Sequence, residues 1–187
     1  MKVKDILKMT AEMAGESQLI SYYNEKGVDD VSSCAESASL MLRCYNMIIE
    51  ELALEYLPLR VKEKLQVTNQ KIYFSELAFK PLRVLGVINK NGDKVPYKLI
   101  NDYLELSNDD VIIEYTHRTK EAFEDDDCVY DETVIGPYVI AYGMLSQYLL
   151  ERGRVSESNI YQEKYLSAVR ARIAQRKSLK LPARRWF

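Results

Sequence analysis

A long helical repeat that stops at a proline is the strongest constraint this sequence places on its fold. Apolar side chains recur with helical spacing from about Ser32 to Leu57, and Pro58 follows at once. Proline ends a helix because it lacks the amide hydrogen and clashes with the preceding turn. The sequence therefore predicts one long helix here, with Asp30 or Ser32 as its N-cap.

Two shorter helical patterns precede this helix. The first begins with apolar residues near Val3 and stops near Gly15, a residue type that commonly ends helices. The second covers Ser17 to Lys26. We therefore predict two short N-terminal helices.

Two further helices are predicted in the C-terminal third. One begins near Thr133 and has a broad apolar surface, so we expect it to be central to the fold. Gly143 within it would allow another backbone to approach closely. The last helix follows Arg152-Gly153 and ends before Pro182.

Between Arg60 and Arg118 the pattern changes from helical to strand-like. Short runs of β-branched and aromatic residues alternate there with turn residues. Asn91-Gly92 favours a tight hairpin between Val84–Ile88 and Val95–Ile100, because both turn positions then take positive φ. The stretch is therefore predicted to be a small antiparallel meander.

A second hairpin is predicted in the same stretch. Its strands are Tyr103–Leu106 and Val111–Tyr115, and residues 107–110 have the composition of a turn. Pro81 and Pro96 cannot donate to a sheet ladder, so we expect their strands to start or run at an edge there.

These patterns predict a single α+β domain over residues 1–187 that is mainly α. It would be a helical bundle with a small antiparallel β insertion and an extended basic C-terminal tail. A chain of 187 residues suits one sizeable core. The predicted parts are N-terminal helices at 1–58, the β insertion at 60–118, C-terminal helices at 132–177 and a docking tail at 178–187.

Charge is distributed unevenly along the chain. The net charge is −2, yet residues 164–187 contain eight basic residues and no acidic one, which leaves about −10 for the rest. Residues 121–132 contain seven acids and are predicted to form a solvated loop that leads into a helix. The asymmetry suggests an electrostatic partner for the basic end, although a solvated helix face has the same pattern.

No residue pattern points to catalysis. His117, the single histidine, lies at the end of a predicted strand without a nucleophile motif nearby. It follows Glu114 at the spacing of di-iron sites, but residues i and i+3 of a strand face opposite sides. The glycines form no phosphate-binding loop, and Glu124–Asp127 lacks the glycine and alternating ligands of a calcium loop. The sequence predicts no enzymatic activity, no metal and no cofactor.

Compartment signals point to the cytoplasm. Cys34, Cys44 and Cys128 are widely spaced and include no Cys-x-x-Cys pair, which favours a reducing environment. The longest apolar stretch, Tyr138–Leu150, is shorter than the roughly 20 residues of a spanning helix. The N-terminus lacks the apolar core of a signal peptide. We therefore expect neither a membrane partner nor secretion.

The C-terminal end has the composition of a binding surface. Arg184-Arg185-Trp186-Phe187 joins two cations to two large aromatic residues, and such residue types dominate binding hot spots. The protein is therefore predicted to work by contact, and a tail that folds back on its own domain is the alternative. The predicted partner-binding residues are Arg170, Arg172, Arg176, Lys177, Lys180, Leu181, Arg184, Arg185, Trp186 and Phe187.

The order of these parts resembles the head-to-tail adaptor, or head-completion, proteins of tailed bacteriophages. The resemblance is carried by the N-terminal helices, the long helix that ends in Glu51–Pro58, the β insertion, the two later helices and the basic end Leu181–Phe187. The large β insertion is closer to the podovirus-type tail-tube adaptors than to the compact four-helix members.

This resemblance implies a structural virion protein of the neck, made in the cytoplasm of a host bacterium. Copies would form a ring of about a dozen subunits that continues the DNA channel. Arg176–Phe187 would grip the portal protein, and a downstream tail or neck protein would be the second partner. Non-specific contact with DNA in the channel would follow.

A nucleic-acid-binding accessory protein is the competing prediction. The basic C-terminal residues would neutralise phosphates, and Trp186 or Phe187 would stack on a base. The sequence pI of about 5.6 and the acidic remainder of the chain oppose this alternative. An enzyme with an unrecognised site ranks last.

Overall fold

The chain divides into two compact units, the helical unit (residues 1–51 and 121–187) and the sheet unit (residues 52–120). The computed structural model describes residues 1–24, 31–67, 69–107 and 110–178. These described residues contain five α-helices and six strands, and the strands form two three-stranded antiparallel sheets. The prediction of a mainly α bundle is therefore wrong, and the fold is mixed. The strand-rich stretch has two layers with an apolar core of its own, which the exposed cations Arg60, Lys62 and Lys64 obscure in the sequence.

The helical unit is organised around its fourth helix. The helices are α1 (Val3–Ala14), α2 (Ser17–Tyr23), α3 (Val31–Glu51), α4 (Pro137–Glu151) and α5 (Val155–Ser178). As predicted, α4 is central and packs against α1, α3 and α5. The predicted end of α1 is also confirmed, because Gly15 adopts φ 75° and its amide donates to the Glu12 carbonyl at 3.2 Å. The predicted end of the second helix, Lys26, lies outside the described residues.

The long helix ends as the sequence predicts, with a change of hydrogen bonding in its last turn. After α3, residues Leu52–Tyr56 form one π-helical turn, in which the Leu57 amide donates to the Leu52 carbonyl at 2.6 Å. Pro58 follows this turn. The wider turn is not visible in the apolar spacing, because that spacing continues through it.

The predicted start of α4 near Thr133 is wrong by about one turn. Residues 131–135 form a turn around Asp131, whose side chain accepts the Thr133 amide at 2.8 Å and whose carbonyl accepts the Val134 amide at 2.9 Å. Gly136 is extended, and Pro137 occupies the first position of the helix. A proline suits that position because the amide it lacks has no partner within a helix.

Three of the four strand pairs in the sheet unit join strands that are distant in sequence. The strands are β1 (Leu59–Gln66), β2 (Lys71–Tyr73), β3 (Pro81–Asn89), β4 (Tyr97–Ile100), β5 (Tyr103–Leu106) and β6 (Asp110–His117). The sheet orders are β1-β6-β3 and β2-β5-β4. The predicted meander and second hairpin are therefore wrong, since β5 and β6 belong to different sheets. The predicted pairing of Val84–Ile88 with Val95–Ile100 is also wrong beyond the bridge next to the turn, since β3 and β4 belong to different sheets. Pro81 is the first residue of edge strand β3, and Pro96 precedes edge strand β4, in agreement with prediction.

Both sheets contribute to one apolar core. Ile72 and Leu104 of the β2-β5-β4 sheet cluster with Val87 and Ile113 of the β1-β6-β3 sheet, and all four side chains are buried. Side chains on one face of each sheet therefore pack between the layers, and the other faces are left for solvent or a partner.

The Asn91-Gly92 turn forms with a geometry other than the one predicted. Gly92 has φ 88°, but Asn91 is not among the described residues with positive φ. The Asn89 amide donates to the Asp93 carbonyl at 2.9 Å, which closes a three-residue loop. The Asn89 side chain selects this loop, because its Oδ1 accepts the amides of Asn91 and Asp93, both at 2.9 Å.

Candidate docking site

The predicted partner-binding residues begin on α5, which is anchored to the helical unit along one face. Tyr165 and Val169 are buried on that face. The Ser158 hydroxyl donates to the Ser146 carbonyl on α4 at 2.8 Å, and the Ser146 hydroxyl donates to Gln162 Oε1 at 2.9 Å. These contacts fix the position of the helix that leads to the basic end.

Arg172 is held within the chain. Its Nε donates to the Val134 carbonyl at 2.8 Å, and its Nη2 donates to the neighbouring Thr133 carbonyl. Its Nη1 also donates to Gln175 Oε1 at 3.1 Å. The guanidinium thus ties α5 to the turn before α4, so its hydrogen-bonding capacity is largely used inside the helical unit.

Arg170 differs from Arg172 although it lies on the same helix. Its side chain is exposed, and no hydrogen bond or ion pair involves it within the described part of the chain. The backbones of Arg176 and Lys177 are helical. The remaining predicted residues lie outside the described residues: Lys180, Leu181, Arg184, Arg185, Trp186 and Phe187.

The acid-rich stretch 121–132, hereafter the acidic segment, was predicted to be a solvated loop but is held by the N-terminus. Its carbonyls at Asp126 and Glu124 accept the first amides of α1, from Val3 and Lys4, each at 3.0 Å. The Cys128 amide donates to the Met1 carbonyl at 2.9 Å. Amides at the start of a helix need such acceptors, and negative charge there is favourable.

A second clamp holds the start of the acidic segment. The Asn46 side chain on α3 donates to the Ala122 carbonyl at 3.1 Å and accepts the Ala122 amide at 2.9 Å. Burial raises the pKa of the Glu124 carboxyl, and nearby Lys4 offsets part of that rise. Most of the other acids in the segment are exposed and therefore available at the surface.

Sequence reasoning missed a basic surface on the sheet unit. Arg60, Lys62 and Lys64 alternate with inward-facing residues along β1, and all three are exposed. Arg83 on β3 joins them, because Arg60 and Arg83 both pair with Thr116 of the central strand. The signal was present in the sequence as cations at every second position of a predicted strand.

The histidine, the cysteines and the acidic side chains show no catalytic or metal-binding arrangement within the described residues. The His117 ring stacks on Phe79 with centroids 4.2 Å apart, and its Nδ1 lies 2.8 Å from the Arg118 carbonyl oxygen. Cys34, Cys44 and Cys128 are free thiols, and burial raises the pKa of Cys44 to about 11, which disfavours a thiolate. No group of three His, Cys, Asp or Glu side chains in the described residues is placed to hold a metal ion.

Comparison with known proteins adds no family assignment. No family model matches the chain, and no curated protein sequence matches it. Among the described residues, no helix is both long and apolar enough to span a membrane.

Proposed function

We propose that this protein is a structural ring subunit that joins the portal of a tailed bacteriophage to its tail and continues the DNA channel. In this role it resides in the neck of the virion. Its partners are further copies of itself, the portal protein and a downstream tail or neck protein. The order of helices, sheet insertion and basic C-terminal end supports the proposal by resemblance.

The anchoring of α5 is the observation that carries the docking role. Tyr165 and Val169 bury one face of the helix, and Arg172 ties its last described turns to the Thr133 and Val134 carbonyls. A short binding segment gains affinity when its base is fixed, because less conformational freedom is lost on docking. The basic residues from Arg176 onward follow directly from such a base.

The distribution of charge favours an adaptor over a nucleic-acid accessory protein. The basic end is attached to a unit that displays the exposed acids of the acidic segment, and the sequence pI is about 5.6. Long-range attraction to a phosphate backbone is weakened by such an acidic surface. A protein partner that contacts the basic end and the acidic segment through different surfaces does not lose attraction in this way.

The test compares the full-length chain with a truncation after Gln175. Each is mixed with a purified bacteriophage portal ring at low and high salt, and the mass of the assembly is measured. We expect the full-length chain to bind the portal as a multimer. We expect the truncation to stay unbound, although it keeps the Arg172 contacts, including that to Gln175.

Two controls sharpen this test. Arg170→Ala in the full-length chain removes one exposed cation outside the truncated segment, so it should weaken portal binding less than the truncation does. Circular dichroism of the truncation should show nearly the same helix content as the full-length chain, because only the last three residues of α5 are removed from the described helices. A full-length chain that ignores the portal but binds duplex DNA in a salt-dependent manner contradicts the proposal and supports the accessory role.

A further inference from the structure

The outer face of the β1-β6-β3 sheet, hereafter the basic face, carries exposed cations, most of which have no acidic partner among the described residues. Strand pairing places Arg60, Lys62 and Lys64 in successive rows with Thr116, Glu114 and Ile112 of β6, and Arg83 shares the Thr116 row. Lys62 pairs with Glu114 at 3.4 Å. Arg60, Lys64 and Arg83 have no acidic partner among the described residues, and all three are exposed.

The spacing on the basic face is regular. Alternate residues of a strand lie about 6.7 Å apart, and strands separated by one neighbour lie about 9.6 Å apart. Arg60 and Lys64 are therefore two rows apart on β1, and Arg83 lies across the sheet from Arg60. A partner with several acids on a fixed backbone matches this arrangement better than a single anion does.

An apolar groove borders the basic face. This shallow groove of about 310 Å³ lies between Lys62 and Lys94 and includes Leu85, Tyr97 and Ile112 in its lining. Leu85 and Tyr97 are each 37% exposed. Exposed apolar side chains surrounded by charged ones are typical of a protein interface, where the centre excludes water and the rim is polar.

The acidic segment of the same protein has the complementary composition. Phe123 is 68% exposed and Val129 is 48% exposed, and both lie among exposed acids. Glu121, Asp125 and Glu132 are exposed and have no hydrogen-bonding or ion-pair partner within the described residues. The clamps to the N-terminus and Asn46 hold the segment in place, so it presents these side chains at fixed positions.

We propose that the basic face docks the acidic segment of a second copy of this chain. Phe123 and Val129 of one copy contact the apolar groove of the next, and the acids around them pair with Arg60, Lys64 and Arg83. Because the two surfaces differ, each copy offers one and receives the other, and such head-to-tail contacts form a ring when the rotation between successive copies closes. The inference deepens the proposed ring role by naming the surfaces through which subunits meet.

The test reverses charge on each surface in the full-length chain. The face-reversed variant carries Arg60→Glu, Lys64→Glu and Arg83→Glu, and the segment-reversed variant carries Glu121→Lys, Asp125→Lys and Glu132→Lys. Masses are measured by sedimentation over a range of protein and salt concentrations. We expect the wild-type chain to form oligomers that dissociate as salt rises, and each variant alone to remain monomeric.

Mixing the two variants is the decisive step. In an equimolar mixture, the glutamates of one variant's face meet the lysines of the other's segment, and the remaining native face meets a native segment. Alternating copies therefore restore both contacts, and we expect oligomers to return. A matched control, Lys80→Glu with Lys98→Glu and Lys120→Glu, makes the same change in net charge elsewhere on the sheet unit and should assemble like the wild type.

Several outcomes overturn the inference. They are a wild-type chain that stays monomeric at every soluble concentration, a face-reversed variant that assembles normally, and a mixture that does not restore assembly. A face reversal that removes binding to duplex DNA without changing oligomer mass assigns the face to a phosphate backbone instead. If the face-reversed variant still forms multimers on a portal ring, this inference fails while the proposed adaptor function stands.

Discussion

Gly143 of α4 lies against the ring of Tyr165 on α5, and a Cβ added at Gly143 would stand 3.0 Å from Tyr165 Cδ2. The same Cβ would stand 3.0 Å from Ile48 Cδ1 on α3. Sequence reasoning expected this glycine to admit another backbone. It instead admits two large side chains from two helices, which makes this position a close contact of the helical core.

Gly143→Ala should therefore destabilise the protein. Alanine favours the helix by about 1 kcal/mol, but overpacking of a core costs about 1 to 3 kcal/mol, so we expect a net loss of roughly 1 kcal/mol. Denaturant unfolding measures the change. Ile48→Ala removes both Ile48 atoms that would crowd the added Cβ, Cδ1 and Cγ2, so the double variant should be more stable than the sum of the single effects predicts. Strict additivity would contradict the close contact.

The hydrogen bonds from Arg172 to the turn before α4 lead to a second prediction. Arg172→Ala leaves the Thr133 and Val134 carbonyls without their donor, and we expect a loss of about 1 kcal/mol because water replaces part of the bonding. Arg170→Ala is the matched control on the same helix, and it should change the free energy of unfolding by less than about 0.5 kcal/mol. Equal effects of the two substitutions would show that the hydrogen bonds of Arg172 do not stabilise the helical unit.

A third prediction concerns a polar contact inside the sheet unit. The Tyr115 hydroxyl on β6 donates to the Glu63 carboxylate on β1 and accepts the Phe79 amide at 3.3 Å. Tyr115→Phe removes both bonds and should cost about 1 to 2 kcal/mol. Tyr73→Phe, at an exposed tyrosine of the same unit, should have little effect.

The Tyr115 contact should also depend on pH. Burial, followed by the hydrogen bond to Glu63, raises the pKa of Tyr115 to about 12. A phenol whose pKa is raised by folding contributes stability that is complete below its unfolded pKa of about 10 and is lost as pH rises through the folded value. The stability difference between wild type and Tyr115→Phe should therefore shrink between about pH 9 and about pH 12. A difference that stays constant over this range would contradict the assignment.

Local patterns predicted the helices well and the strand pairing poorly, for a physical reason. The end of α1 at Gly15 and the long helix before Pro58 depend on residues that act within one or two turns. Pairing of β6 with β1 brings Tyr115 to Val61 across more than fifty residues, and no local pattern encodes that choice. The turn around Asn89 was missed because a side chain, and not the turn dipeptide, sets its geometry.

Sequence patterns likewise predicted some features of the candidate docking site and missed others. The binding composition of the C-terminal end could be predicted, since cations and aromatic residues are concentrated there. The hydrogen bonds of Arg172 could not be predicted, because its acceptor Val134 lies 38 residues away. The basic face was encoded at every second position of β1, but its meaning depends on Arg83, which only the β6 register brings beside Arg60.

The last prediction separates backbone strain from packing at two glycines of the sheet unit. A Cβ at Gly92 or at Gly86 meets no atom within 4 Å, but only Gly92 has a positive φ, 88°. Gly92→Ala should therefore destabilise the protein by about 1 kcal/mol, because left-handed backbone costs about that much for an L-residue. Gly86→Ala should be nearly neutral, and Gly92→Asn should lose less than Gly92→Ala because asparagine tolerates this region. Thermal and denaturant unfolding of the three variants test the ranking. A Gly86→Ala variant as unstable as Gly92→Ala would mean that the bulge in β3, and not the φ of the turn, limits substitution in this hairpin.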